Sequence, residues 1–433
     1  MFKRVILFLL ALVAIGIAGV FVLAWHPALD PIEPPAAATF DASQVARGEV
    51  LASAGYCATC HTASGGPRNA GGYALKTGFG TIYSTNITPD IATGIGAWSE
   101  PAFARAMREG IARDGSELYP AFPFDHFTRL SDADISALYA YLMSQPAVSA
   151  AERANELPFP LNIRALQAGW KLLFLDKGRH EPTPGKGEEW NRGAYLVEGI
   201  AHCGACHTPR NALGAEKGGD QAYAGAFIDG WEAPALGNGN PAPLSWNVDR
   251  LTDYLRTGAT ALHGVAAGPM SAVVHDGLSA LPDSDIRAMA VYLADLNGSA
   301  ARSEADDTRL AALLKSSAVD PRHLFDAGAD VYRAACASCH YNSANPPSLL
   351  RPELALNSAL TSPDPTNFLQ VVMHGVGVAE GIPGTMMPPF AAALSDAEIQ
   401  ALASYLRSSM TDRPPWTDLS RHIATVRKGE AGS

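Results

Sequence analysis

The chain has 433 residues, enough for roughly two to four domains, each with its own core. Its formal charge of −11 excludes nucleic acid as a partner, because neutralising phosphates takes clustered Lys and Arg that the sequence lacks. With 40 Gly, 31 Pro and only 17% charged residues, its short helix-period stretches predict compact helical domains joined by long loops rather than disorder.

After Met1-Phe2-Lys3-Arg4, the stretch Val5 to Trp25 runs 21 residues without a charge, long enough to cross a bilayer as a helix. A cleaved signal peptide, with Val22-Leu23-Ala24 before the cut, is the competing reading. The apolar core of such a peptide is about 7–15 residues, so residues 1–25 are read as a retained transmembrane anchor. Lys3 and Arg4 then stay in the cytoplasm. In both readings the rest of the chain is exported, beginning with a Pro-rich linker over residues 26–40.

All six cysteines fall in three copies of one pattern: Cys57-Ala-Thr-Cys60-His61, Cys203-Gly-Ala-Cys206-His207 and Cys336-Ala-Ser-Cys339-His340. In a c-type haem site the two thiols become thioethers to the vinyl groups and the adjacent His supplies an axial nitrogen. Zinc needs four ligands where each cluster offers three, and a thioredoxin-like pair does not call for a His after the second Cys. The pattern therefore predicts three covalently bound haem c groups. It leaves no thiol for a structural disulfide.

The motifs head three related modules. Each follows a short amphipathic segment, SQVARGEVLASAGY, EWNRGAYLVEGIAH or DAGADVYRAA. Each continues to a helix ending in glycine, Phe103 to Gly110, Leu251 to Gly258 and Phe368 to Gly375, where a left-handed C-cap is expected. Each closes with a helix that begins LSDADI at Leu130, LPDSDI at Leu281 or LSDAEI at Leu394; Ser131 with Asp134 and Ser395 with Glu398 have N-cap spacing. Ile135 and Tyr141, Ile286 and Tyr292, and Ile399 and Tyr405 are each six apart, core positions that fix the register.

Twelve residues beyond the helix-ending glycine stand Met270 in the second module and Met387 in the third. A thioether facing the haem opposite the histidine is the expected sixth ligand of an electron carrier; Met386 is the fallback for the third. The same count in the first module reaches Phe122. His126, four residues further on, is the candidate ligand there, because Val274 and Ala391 hold the matching places elsewhere. The alternatives are a five-coordinate iron, Met107 or Met143. His26, His180, His202, His263, His275, His323 and His422 are expected in loops or on the surface, and so is His374, set apart from them by its place directly before Gly375 near the third haem.

With STNITPDIATGIGAWSE from Ser84, HCGACHTPRN from His202 and MPPFAAALSD from Met387, the exported part resembles the membrane-anchored triheme cytochrome c subunits of bacterial periplasmic dehydrogenases. The alcohol and sugar branches carry YPAMPY in the first module. AFPFDHF here is similar instead to the cytochrome partners of molybdenum hydroxylases that oxidise nicotinate, isoquinoline or aldehydes. The resemblance implies a mainly α fold, with three tandem class-I-like cytochrome c domains after an N-terminal transmembrane helix. The domains are expected over residues 41–150, 186–300 and 321–412, separated by linkers at 151–185 and 301–320 and followed by a C-terminal tail at 413–433. It also implies a relay on the periplasmic face of the inner membrane. Electrons would come from a molybdopterin large subunit with a 2Fe-2S small subunit and pass to ubiquinone or a terminal oxidase. A quinoprotein or flavin dehydrogenase partner is the nearer alternative, and a haem enzyme acting at an open first iron is the alternative of another class. Pro160 to His180, apolar around Trp170, is expected either as a linker helix packed on the domains or as a surface for membrane or partner.

Overall fold

The computed structural model describes residues 22–318, 325–343, 345–377, 380 and 386–429, together with residues 2, 4, 5, 16, 19 and 20. The chain is mainly helical, with three two-stranded antiparallel hairpins, Ala74–Thr77 with Gly80–Tyr83, Ala226–Ile228 with Trp231–Ala233, and Ala259–Thr260 with Gly264–Val265. No helix among the described residues is long and apolar enough to cross a membrane, and most of Val5 to Trp25, where the anchor is expected, lies outside them. Contacts divide the chain into two compact units. The first holds the chain up to Pro182 with Tyr195–His202 and Ala212–Ala215; the second holds Thr183–Ala194, Cys203–Asn211 and the chain from Glu216 onward. The boundary expected over residues 301–320 falls inside the second unit.

The first unit is built on α1 (Ala42–Ala54), α2 (Glu100–Glu109), α3 (Phe124–Phe127), α4 (Asp132–Met143) and α5 (Leu166–Phe174). Asp41 caps α1 by accepting from the amides of Ser43 and Gln44, and Ser131 caps α4 by accepting from the amide of Asp134 at 3.1 Å. Gly110 ends α2 in the left-handed region at φ 62°, as expected of a glycine C-cap. Residues 26–40, expected as a linker, are instead laid on this unit. The Leu29 amide donates to the Arg113 carbonyl at 2.8 Å, and the Ile32 amide to that of Ala97 at 3.1 Å.

The second unit contains α6 (Glu188–Tyr195, all but its last residue), α7 (Val248–Thr257), α8 (Pro269–Ala272), α9 (Asp283–Leu296), α10 (Asp306–Ser317), α11 (Ala327–Ala335), α12 (Thr366–His374), α13 (Asp396–Met410) and α14 (Leu419–Arg427). Ser395 and Glu398 form the full capping box of α13. Gly258 closes α7 in the left-handed region, but Gly375 after α12 does not, having φ 78° with ψ −169°. The reason lies further along the chain: the next residue, Val376, pairs with Met387 through reciprocal backbone hydrogen bonds of 3.0 Å, and a left-handed turn at Gly375 would aim the chain away from that bridge. Two expected connectors are structured. Residues 301–320 contain α10, held where the buried Asp306 carboxylate accepts from the Ser245 amide at 3.0 Å and pairs with Arg250. The C-terminal tail carries α14, whose Leu419, Ile423 and Val426, with Trp416, enter the core around Tyr332, Leu369 and Ile399.

One packing device occurs three times. Gly48 on α1, Gly193 on α6 and Gly328 on α11 each lie against the closing helix of their own unit, where an added Cβ would overlap the carbonyl oxygen of Ala137, Ala288 or Ala401. It would also come 2.7, 2.9 and 2.5 Å from the Cβ of Tyr141, Tyr292 and Tyr405. The tyrosines of the sequence register therefore mark the crossing points. Glycine in a helix costs about 1 kcal/mol relative to Ala; here it permits backbones to meet that a methyl group would hold apart.

Gly328→Ala should lower the stability of its helix pair by roughly 1–3 kcal/mol, the usual cost of overpacking. Gly169→Ala in α5, where a Cβ would meet nothing within 4 Å, should be neutral or mildly stabilising. Denaturant titration of the two variants checks this, and equal stability of the two would refute the crossing as a steric constraint. His263, expected in a loop or on the surface, lies in the turn of the Ala259–Val265 hairpin but is buried there and stacked on Trp246, ring centroids 3.7 Å apart. Burial, with Arg250 adding repulsion, pushes its pKa down to about 3. The unfolded chain, with a His pKa of about 6.5, binds a proton that the folded chain refuses. The contribution is therefore complete above about pH 6.5 and is lost as pH falls toward 3, by at most about 1.4 kcal/mol per pH unit. His263→Phe should flatten that slope in urea titrations between about pH 4 and 7; an unchanged slope would show that other groups set it.

Candidate functional site

Each Cys-x-x-Cys-His run sits on a single helical turn at the end of one of these crossing helices. Cys57–Cys60 follows α1, Gly204–His207 follows the turn after α6, and Ala337–His340 follows α11. In each, the amide of the histidine closes the turn on the carbonyl of the first cysteine, at 2.8, 3.0 and 3.0 Å. None of the six thiols is in a disulfide; Cys60 and Cys339 are exposed and the other four half-buried.

The histidines share one environment. His61 donates from Nδ1–H to the Thr85 carbonyl at 2.6 Å, His207 to that of Pro234 at 2.7 Å and His340 to that of Pro352 at 3.1 Å. A backbone carbonyl on Nδ1 fixes the tautomer and ring direction and leaves Nε2 as the ligand nitrogen, the outer-shell contact of metal-bound imidazoles. Burial pushes all three imidazoles below the usual range, against the pull of that hydrogen bond, and so favours the neutral form that a metal takes. Burial pushes the Cys57 and Cys203 thiols up to about 12 and Cys336 to about 11. These are poor thiolates, unlike the activated cysteines of a redox pair. The residues present fit covalent haem c.

Of the proposed sixth ligands, Met270 and His126 fall on single-turn helices and Met387 on an extended segment. Met270 is half-buried in α8, just after Gly268, whose φ is 55°. Met387 packs against the core of its unit and is bridged to Val376, whereas its neighbour Met386 is exposed. Met107 and Met143 are core residues of α2 and α4. Phe122 packs among aromatic rings, 5.4 Å from Phe127 and 6.5 Å from Phe124. His126 lies on α3, buried, and donates from Nδ1–H to the Glu198 carbonyl at 2.8 Å. His202, expected in a loop or on the surface, is a half-buried loop residue whose part in an aromatic cluster the sequence reading missed: its ring meets Tyr56 at 5.3 Å, Phe127 at 5.6 Å and His126 at 6.2 Å. Its place directly before Cys203, matching Tyr56 before Cys57, was the available signal.

Histidines held through Nδ1 beside paired cysteines, on a helix that crosses its partner at a glycine, define a c-type cytochrome. Residues 45–146 match the family model described as Cytochrome c, and residues 323–406 that described as Cytochrome C oxidase, cbb3-type, subunit III. A nicotinate dehydrogenase polypeptide of Pseudomonas putida is 46% identical over 423 residues, covering 95% of this chain and 35% of that protein. Gluconate 2-dehydrogenase cytochrome c subunit of Pantoea cypripedii is 38% identical over 404 residues, covering 89% of this chain and 90% of that one. Fructose dehydrogenase cytochrome subunit of Gluconobacter japonicus is 37% identical over 402 residues, covering 87% and 81%. The chain thus spans 35% of the first of these relatives and most of the other two. It belongs to the electron-transfer cytochrome c subunits of dehydrogenases and carries covalently bound haem c.

Proposed function

We propose that the chain carries single electrons from a dehydrogenase polypeptide to the membrane respiratory chain through three haems, one in each of three tandem cytochrome c domains over residues 41–150, 186–300 and 321–412. The observation that carries this reading is the threefold recurrence of a histidine held through Nδ1 beside its cysteine pair. Cys57 with Cys60, Cys203 with Cys206 and Cys336 with Cys339 hold the groups, and His61, His207 and His340 are the proximal ligands. Bound haem c supplies a one-electron iron couple. The chain sets potential, spacing and docking surface around it. Met270 and Met387 give thioethers that favour reduced iron in the second and third domains. His126 completes the first, its Nδ1 held by a backbone carbonyl as the proximal histidines' are. The first haem is then the lowest in potential.

The electron donor we infer is a molybdenum hydroxylase of the nicotinate-oxidising type, with a molybdopterin large subunit and a 2Fe-2S small subunit. The similarity to the nicotinate dehydrogenase polypeptide supports it, a protein in which the matching stretch is continuous with further chain. A quinoprotein or flavin dehydrogenase is the second reading, favoured by the near full-length match to the gluconate 2-dehydrogenase subunit. Residues 1–25 anchor the chain in the bacterial inner membrane with the haem domains in the periplasm, and ubiquinone or a terminal oxidase takes the electrons.

A potentiometric titration of the full-length protein tests the ligand scheme. Met270→His and Met387→His should each lower one of three one-electron waves, and a different one in each case. Met386→Leu should move none, and His126→Met should raise the lowest. If His126→Met leaves every wave in place, His126 is not the ligand.

A further inference from the structure

Helix α5 is reversed relative to an ordinary surface helix. Its one charged residue, Lys171, is 8% exposed and paired with the buried Glu117, while Leu172 and Leu173 are 70% and 68% exposed. At about 100° per residue, Leu166, Gly169, Leu172 and Leu173 share the outward arc. The loop leading into the helix adds Phe159, 81% exposed, and Ile163. Water favours charge outside and leucine inside. Glu117 and the Glu109 and Gly110 carbonyls offset the cost of burying the Lys171 ammonium, and the leucines left exposed are suited to an outside that is itself apolar.

Where the N-terminal apolar run ends says what that outside is. His26 follows Trp25, and its Nε2 lies 3.3 Å from Glu117 Oε1. The Pro27 carbonyl accepts from Arg105 Nη1 at 2.8 Å, which fixes the chain beside the same loop. That loop also seats α5: the Glu117 carboxylate pairs with Lys171, and the Glu117 carbonyl accepts from Arg164 Nη1 at 3.1 Å. The end of that run, at Trp25 and His26, therefore stands at the segment that holds α5. We propose that the outward arc of α5, with Phe159 and Ile163, lies in the interfacial layer of a lipid bilayer as a second membrane contact. This rests on the reading of residues 1–25 as a membrane anchor. Trp170 meets Phe124 edge-on at 6.0 Å, so the contact ties the loop of the first module to the membrane surface.

The test uses the full-length haem-loaded chain, without any dehydrogenase polypeptide, in phosphatidylethanolamine and phosphatidylglycerol vesicles. These contain a phospholipid with a photoactivatable acyl chain, and adducts are located by mass spectrometry. The proposal expects adducts both in residues 5–25 and in 159–174. In Leu172→Glu with Leu173→Glu, those in 159–174 should fall at least about tenfold, because the transfer energy of two leucines is lost, while the haem spectrum stays unchanged. Adducts confined to 5–25 would overturn this inference and leave the anchor standing; adducts in neither segment would overturn both. Shielding of 159–174 that appears only when a dehydrogenase polypeptide is added would assign the patch to that partner and also overturn the proposal.

Discussion

The placing of the three Cys-x-x-Cys-His turns depends on three places where one helix backbone presses on another. Gly48, Gly193 and Gly328 have no Cβ, and the space a Cβ would take is filled by the carbonyl oxygens of Ala137, Ala288 and Ala401. The helix that contributes the glycine leads, within about three turns, into the cysteine pair. Pinning its crossing point therefore fixes where the two sulfurs and the histidine begin. A larger residue would separate the helices and shift the attachment turn relative to the loops opposite it. The packing link and the cofactor link are the same link here.

From that fixed start, the remaining control is exerted by backbone carbonyls. Thr85, Pro234 and Pro352 lie on loops that differ in length and sequence, yet each delivers a carbonyl oxygen to a histidine Nδ1. A proline at two of these places stiffens the loop that carries the acceptor. Orientation of the imidazole is thus separated from the identity of the loop, which lets the loops diverge for docking or for spacing. The first unit adds an aromatic set of Tyr56, Phe127 and His202.

What the sequence made legible was local. The Cys-x-x-Cys-His runs, the Ser131 and Ser395 caps and the glycine ends of α2 and α7 are all set by residues within a few positions of one another. The register of Met270 and Met387 was legible because modules repeat. Less visible was whatever distant chain decides. Gly375 has the position of a C-cap, but its conformation answers to Met387. His263 has no neighbour in sequence that announces Trp246, and Asp306 none that announces Arg250. The three crossing glycines stand in plain sight within amphipathic segments, where a glycine ordinarily reads as a weak point in a helix. For α14 the pattern of Leu419, Ile423 and Val426 was present, at the spacing of one helix face.

The proposed electron relay requires one covalent haem at each of the three Cys-x-x-Cys-His turns. The intact mass of the purified full-length chain, compared with its haem-stripped mass, measures this directly. The expected difference is three haems per polypeptide, falling to two when Cys336 and Cys339 are both replaced by alanine. A native difference of two haems or fewer would contradict it.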